Sequence, residues 1–470
     1  MHVDVVVVGA GGAGLAAAIS AAEKGSSVIV FESESAAGGS TSESAGMFTA
    51  GGTSTQADLG VEDTVDRYFQ HYMDLNQWQL EPGLIRSFCE SSVEALDWVK
   101  SIGVEIPSNW SSNAHEPGLT QSGVEDVFRG HVPKDQGYGL VTALVDEVKR
   151  RGVEIYYNSR VESLLTEGGA VVGVIVDGIE VRAHSTVVAT GGFAQNPELV
   201  QRYYPEALAA GDKLFPVAAP GSRGDHIAFG KTVNAKLVGE GTGLLLVTAD
   251  LQRLHHWQSG FPPLSRVYVN SSGLRFMNED VSYAVSSGIL ARNGGYAWCI
   301  FDEKARLGLD PGYSHWTPDN VLSSLETGDV IAADSLAELA EKIDIDPVAL
   351  AATIDRWNTE LPEGKDPQFA RIDYLHAKGA ASQVEHIEHS PFYAVKMRAA
   401  ELVCTHTGLA INDMAEVLDN NDAVIPGLYA AGEAGGGVLG PRYVGGGNAV
   451  ANALTMGRRA GQSASDHAQP

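Results

Sequence analysis

Residues 4–8 read DVVVV, an unbroken β-branched run whose lack of alternation predicts a strand buried on both faces. Six residues rich in glycine, Gly9–Gly14, break the run, and LAAAISAAEKG then reads as a helix ended by Gly25. Ser27–Phe31 predicts a second buried strand, closed by Glu32. Farther on, VEIYYNSRVESLL (153–165) and two β-type runs lead to HSTVVATGGFAQN (184–196), and IPGLYAAGEAGGG (425–437) again passes from strand to glycine. Residues 61–75, 84–103 and 334–361 place apolar side chains at helical spacing, which predicts packing helices. The Pro- and Gly-rich stretches near 260–263 and 311–319 predict surface loops. Neither an internal repeat nor a low-complexity linker interrupts this pattern.

The first of these patterns carries chemistry. Gly9, Gly11, Gly12, Ala13 and Gly14 form a GxGxxG turn between a strand and a helix, and the acid at position 32 ends the next strand. Glycines at that turn let backbone approach a pyrophosphate, the helix N-terminus supplies partial positive charge, and a carboxylate such as Glu32 accepts hydrogen bonds from a ribose. Strand, turn, helix, strand and acid follow one another within about thirty residues, which is the context that distinguishes a dinucleotide site from a glycine-rich turn.

Composition narrows the partners. A chain of 470 residues with 44% hydrophobic residues has material for two or three domains. Its formal net charge of −27 argues against nucleic acid and against an anionic membrane surface, both of which need clustered cations. Cys89, Cys299 and Cys404 are far apart and odd in number, so neither a disulfide framework nor a metal site is expected. MHVDVVVVGAG has no basic region and no small-residue cleavage site, and no apolar run approaches the roughly 20 residues of a membrane span. A cytoplasmic location is the expectation.

In their order along the chain, the Gly9–Gly14 turn, Gly38-Gly39-Ser40-Thr41-Ser42, Ala189-Thr190-Gly191-Gly192 and Gly432-Glu433 resemble the fumarate reductase/succinate dehydrogenase flavoprotein superfamily. The resemblance spans nearly the whole chain. It implies an α/β fold: a Rossmann-like, glutathione-reductase-type FAD-binding domain interrupted by an α+β cap, with the active site between them. The FAD domain is expected over 1–241 and 404–470, and the cap over 242–403. The implied FAD contacts, besides the first turn and Glu32, are Gly39, Ser40, Thr41, Val161, Ala189, Thr190, Gly191, Gly432, Glu433, Asn448, Ala449 and Val450. The Glu433 carboxylate would meet ribityl hydroxyls, and the helix from Ala449 would stabilise negative charge on the flavin. Succinate dehydrogenases tether the flavin to a histidine after the second glycine pair. GGSTSES has none there, so non-covalent FAD is expected.

The same resemblance separates two branches. Fumarate reductases carry an acid arginine after RF-x-NE, a histidine before T-x-GG and a substrate arginine in the C-terminal loop. The matching positions here are Tyr283, Cys404 and Val444. The 3-ketosteroid dehydrogenases instead carry NE followed four residues later by a tyrosine base, and a C-terminal Y-x-x-x-G. Asn278-Glu279 with Tyr283, and Tyr443 with Gly447, match that pattern. By this resemblance Tyr283 is the base, and the Tyr443 hydroxyl and Gly447 N–H hold the substrate ketone. Arg442, Thr405 and His406 are further candidates for substrate contact. The implied activity is FAD-dependent desaturation of a cyclic ketone, steroid or a smaller oxocyclohexane carboxylate, with electrons leaving to an acceptor that the residues do not name. A flavin reductase of fumarate or other enoates and a non-catalytic electron relay are the alternatives, and packing roles for both tyrosines stay open.

Overall fold

The computed structural model describes residues 2–468, apart from 114, 122, 378 and 379. The chain forms two units: Met1–Glu206 with Ala218–Leu244 and Val403–Pro470, and Ala207–Val217 with Leu245–Leu402. Ala207–Val217, expected in the cofactor domain, thus clusters with the second unit.

The first unit is built on an eight-stranded sheet. The β-branched runs become β1 (His2–Val8) and β2 (Val28–Phe31), joined by α1 (Gly12–Glu23). With β3 (Glu154–Tyr156), β4 (Ile179–Val188) and β5 (Val424–Ala430) they form a parallel array in the order β5-β4-β1-β2-β3. An antiparallel strand, Glu416–Leu418, adds to β5, and the hairpin Val161–Glu167/Ala170–Val176 pairs with β4. Val5, Val6 and Val7 have no solvent exposure, as a strand covered on both faces requires.

The C-terminal helix α2 (Asn448–Ala468) packs along α1. Gly457 and Gly461, one helical turn apart, allow that contact. A Cβ on either would lie 2.4 or 2.1 Å from the carbonyl oxygen of Ala13 or Ala17. The predicted helices of residues 61–75 and 84–103 form as Val65–Leu75 and Pro82–Ser101, each with an amphipathic face in the core.

The second unit surrounds a six-stranded sheet whose main path is Phe215–Pro216, Phe392–Thr405, Tyr296–Asp302 and Val267–Val269. The helical stretch expected over 334–361 forms two helices, Leu336–Lys342 and Pro347–Glu360. Asp344 takes φ +57 and Asp346 caps the second helix ahead of Pro347, so the chain turns where proline cannot continue a helix.

Candidate active site

In the first unit the GxGxxG turn is closed by its neighbours. A Cβ on Gly14 would stand 1.8 Å from the Gly9 carbonyl oxygen, and one on Gly9 would stand 2.4 Å from that of Ala189. Gly9 itself has φ +102. Glu32 is buried below this turn, accepting the Ala10 N–H at 2.6 Å and the Glu34 N–H at 2.8 Å. Gly39, Ser40 and Thr41 open a short helix, Gly39–Glu43, with the Thr41 side chain against Gly12 and the Ser40 hydroxyl accepting the Ala219 N–H at 2.9 Å. Val161 is buried at the start of its strand. Ala189 donates its N–H to Val8, and Gly191 has φ +69.

Glu433 is half-buried where three segments meet. Its carboxylate accepts the Gly192 N–H at 3.0 Å and the Thr405 N–H at 2.9 Å, and burial pushes its pKa up to about 7. Those two bonds leave lone pairs on both oxygens. Gly432, with φ +67, lies against Ala13 and the first turn of α1.

The C-terminal loop explains its own bareness. Glu125 accepts the Gly446 N–H at 2.9 Å and the Gly123 N–H at 2.5 Å. A Cβ on Gly445 would lie 2.3 Å from the Glu125 carboxylate, and one on Gly447 2.3 Å from the Met47 carbonyl oxygen. Burial pushes Glu125 up to about 7. Tyr443 is buried, and its hydroxyl accepts the Ala449 N–H of α2 at 2.8 Å. An N–H donated into a phenol oxygen at a helix N-terminus polarises the O–H and strengthens it as a donor.

The other C-terminal candidates are engaged elsewhere. Val444 is fully buried in the core, and Arg442 is exposed with its guanidinium on the Pro441 carbonyl. The Thr405 hydroxyl accepts the Phe193 N–H at 3.0 Å. His406 lies 2.9 Å from the Gly440 carbonyl through Nδ1 and 3.4 Å from the Cys404 sulfur through Nε2, and burial lowers its pKa to about 4. It is a neutral, internally bonded imidazole.

Residues matching the FAD-binding-domain model run from 4 to 450. The chain belongs to this family. It is 32% identical over 99% of its length to the NADH:fumarate oxidoreductase of Klebsiella pneumoniae, and spans about half, 48%, of that protein. It is 27% identical to the 4-oxocyclohex-2-ene-1-carboxylate 5-dehydrogenase of Sinomonas cyclohexanicum, covering 98% of this chain and 93% of that one. Among solved structures, the 3-ketosteroid-Δ4-(5α)-dehydrogenase of Rhodococcus jostii superposes with a TM-score of 0.80 at 28% identity, covering 99% of this chain and 97% of that one.

The protein is therefore an FAD-dependent oxidoreductase of the fumarate reductase/ketosteroid dehydrogenase family. The first unit fits the cofactor on its own evidence. A Cβ on Gly9, Gly12 or Gly14 would stand 2.7 Å or less from a protein atom, whereas one on Gly11 would meet only the Gly38 carbonyl oxygen at 3.9 Å, and two buried side-chain oxygens of this unit, Thr190 Oγ1 and Asn448 Oδ1, have no partner among the described residues. Buried polar atoms are ordinarily paired, so both oxygens are open to a polar ligand. Asn448 and Ala449 open α2, and Val450 is buried in its first turn.

In the second unit, Tyr283 is the first residue of the helix Tyr283–Arg292, capped by Ser282 through its Oγ to the Ala284 N–H. The preceding RFMNED segment is held by a buried ionic lattice. Arg275 makes bidentate pairs with Glu279 (2.7 and 2.7 Å) and with Asp366 (2.9 and 2.7 Å). Asp280 receives Arg266 at 2.8 Å and Arg371 at 2.6 Å. Arg371 also bonds the carbonyls of Leu264 and Arg266, each at 2.6 Å. The motif thus anchors the chain just ahead of Tyr283. Sequence reasoning missed Arg266, Asp366 and Arg371 as its partners, and missed Glu125 altogether. Their only signal was the rarity of a buried charge without a counter-charge.

Proposed function

We propose that the protein removes hydrogen from the α- and β-carbons of a cyclic ketone, giving an α,β-unsaturated ketone. The observation that carries this reading is the Tyr443 hydroxyl at the N-terminus of α2, beside glycine backbone and next to a fully buried Val444. A dicarboxylate reductase would need a cation there, and a ketone needs two hydrogen-bond donors. The Tyr443 O–H and Gly447 N–H donate to the ketone oxygen, stabilising negative charge that develops there. With the carbonyl polarised, the α-proton becomes acidic enough for the Tyr283 side chain, once it has lost its own proton to solvent, to take it on the phenolate oxygen. Bound FAD supplies the two-electron acceptor for the hydride leaving the β-carbon. Gly9–Gly14, Glu32, Thr41, Thr190, Glu433 and Asn448 hold FAD without a covalent bond, so acid precipitation releases it into the supernatant. A cyclic ketone, or its carboxylate-bearing analogue, is the substrate class, with a separate acceptor for the electrons.

The 32% identity to a fumarate oxidoreductase against 27% to a ketone dehydrogenase favours a second reading, reduction of fumarate or another enoate. The two part in one experiment. Steroid ketones, simple cyclohexanones and oxocyclohexane carboxylates are mixed anaerobically with the yellow protein, and fumarate with the pre-reduced protein. Bleaching by a ketone supports the dehydrogenase. Tyr443→Phe should then lower turnover by about 10²–10³, and Tyr283→Phe by about 10²–10⁴ together with loss of the rise in rate toward the phenol pKa near about 10. Rapid oxidation by fumarate with no ketone activity assigns the protein to the second reading. Near-normal ketone turnover by Tyr283→Phe removes the base assignment.

A further inference from the structure

The second unit contains a cluster that the ketone chemistry does not use. Glu401, on the strand Phe392–Thr405, has a side chain with no solvent exposure. Its Oε1 lies 3.3 Å from His255 Nε2 and 3.2 Å from His256 Nδ1. Its Oε2 is buried and has no hydrogen-bond partner among the described residues. The three donor atoms, one from each residue, lie within 4.8 Å of one another.

We propose that His255, His256 and Glu401 form a binding site for one divalent transition-metal ion of the zinc class. Two imidazoles and a carboxylate are the donor set such ions take, with a water in the fourth position. Bonds of about 2.0–2.1 Å at tetrahedral angles put ligand atoms about 3.4 Å apart, close to the two His–Glu distances, and the two histidine nitrogens lie within 4.8 Å of each other. Adjacent histidines reach one point because His255 presents Nε2 and His256 Nδ1. The side chains of His255 and His256 are 18% and 22% exposed, which leaves an approach for water and ion.

The donors are held in place. Glu401 is paired in register with Phe215, and the His255 ring is stacked on Trp257 at 4.6 Å. The turn carrying both histidines is fastened by Ser259 Oγ to the Leu254 carbonyl and by the Ser314 N–H to the Gln258 carbonyl. A cation would also satisfy the orphaned Glu401 Oε2.

The test uses tag-free FAD-loaded protein, stripped with chelator and dialysed against Zn²⁺, with bound metal counted by elemental analysis. One equivalent per chain is expected, and Co²⁺ in its place should give the intense visible bands of a tetrahedral site. Glu401→Gln, which keeps the side-chain shape, and His256→Ala should each weaken binding by at least about a hundredfold, while FAD content and the far-ultraviolet spectrum stay unchanged. His389→Ala, on an exposed histidine elsewhere in this unit, should bind as the wild type does. Absence of stoichiometric Zn²⁺ from the wild type, or binding in the Glu401 and His256 variants equal to that of the wild type, overturns the site and leaves a hydrogen-bonded His–His–Glu cluster.

Discussion

The two units bury carboxylates in opposite ways. In the first, buried Glu125 and half-buried Glu433 accept backbone N–H groups, and both are pushed up to about 7. In the second, half-buried Asp280 and buried Asp366 meet guanidinium groups, which hold both below the ordinary carboxylate value. A dipolar partner offsets only part of the desolvation cost, whereas a full counter-charge reverses it. The first arrangement leaves groups that titrate near neutrality around the glycine loops. The second makes a permanently charged lattice, whose service to Tyr283 is to fix the chain ahead of it.

The largest effect should come from breaking that lattice. Arg371→Met removes a fully buried guanidinium and leaves Glu279, Asp280 and Asp366 with only Arg266 and Arg275, so stability should fall by about 3–5 kcal/mol. Urea unfolding monitored by the tryptophans measures this, and a loss below about 1 kcal/mol would mean that the lattice is not a stabilising unit. A smaller cost is expected from the glycine turn. Gly14→Ala places a methyl 1.8 Å from a backbone oxygen and should cost about 1–3 kcal/mol while abolishing FAD retention. The ratio of flavin to protein absorbance checks it, and a fully yellow variant would show that the turn can relax without losing the cofactor.

The smallest effect concerns pH. Glu125 keeps its proton in the fold up to about 7 and releases it near 4.5 in the unfolded chain. Between those values the folded state binds more protons, so its contribution to stability falls as pH rises from about 4.5 to about 7. Asp280 and Asp366 have the opposite sign. Their folded pKa values lie below 3.8, so their stabilisation is complete above that value and lost as the solution is acidified below it. Melting temperatures across pH should therefore decline on both sides, and Glu125→Gln should flatten the neutral side alone. A Glu125→Gln profile identical to the wild type would mean that this carboxylate is already ionised in the fold.

Much of the first unit was legible before any coordinates. DVVVV and SVIVF become adjacent parallel strands, and the glycines between them stand where backbone meets backbone. The RFMNED motif was visible, but its work was not. Arg275 and Glu279 are four residues apart and pair locally, whereas Asp366 lies 91 residues from Arg275. The purpose of the bare loop at 445–447 was also only half legible: bareness was plain, but its neighbours Glu125 and Met47 were not.

By itself the sequence determined the elements of the cofactor unit, because β-branched runs and glycine turns act through the backbone of the residues that carry them. Which buried carboxylates are charged was decided only by tertiary structure. Glu125 meets Gly446 across 321 positions, and Glu401 meets His256 across 145. A pKa is set by the depth of burial and by the nearest charge or dipole, and neither is a property of the residue's neighbours in the chain.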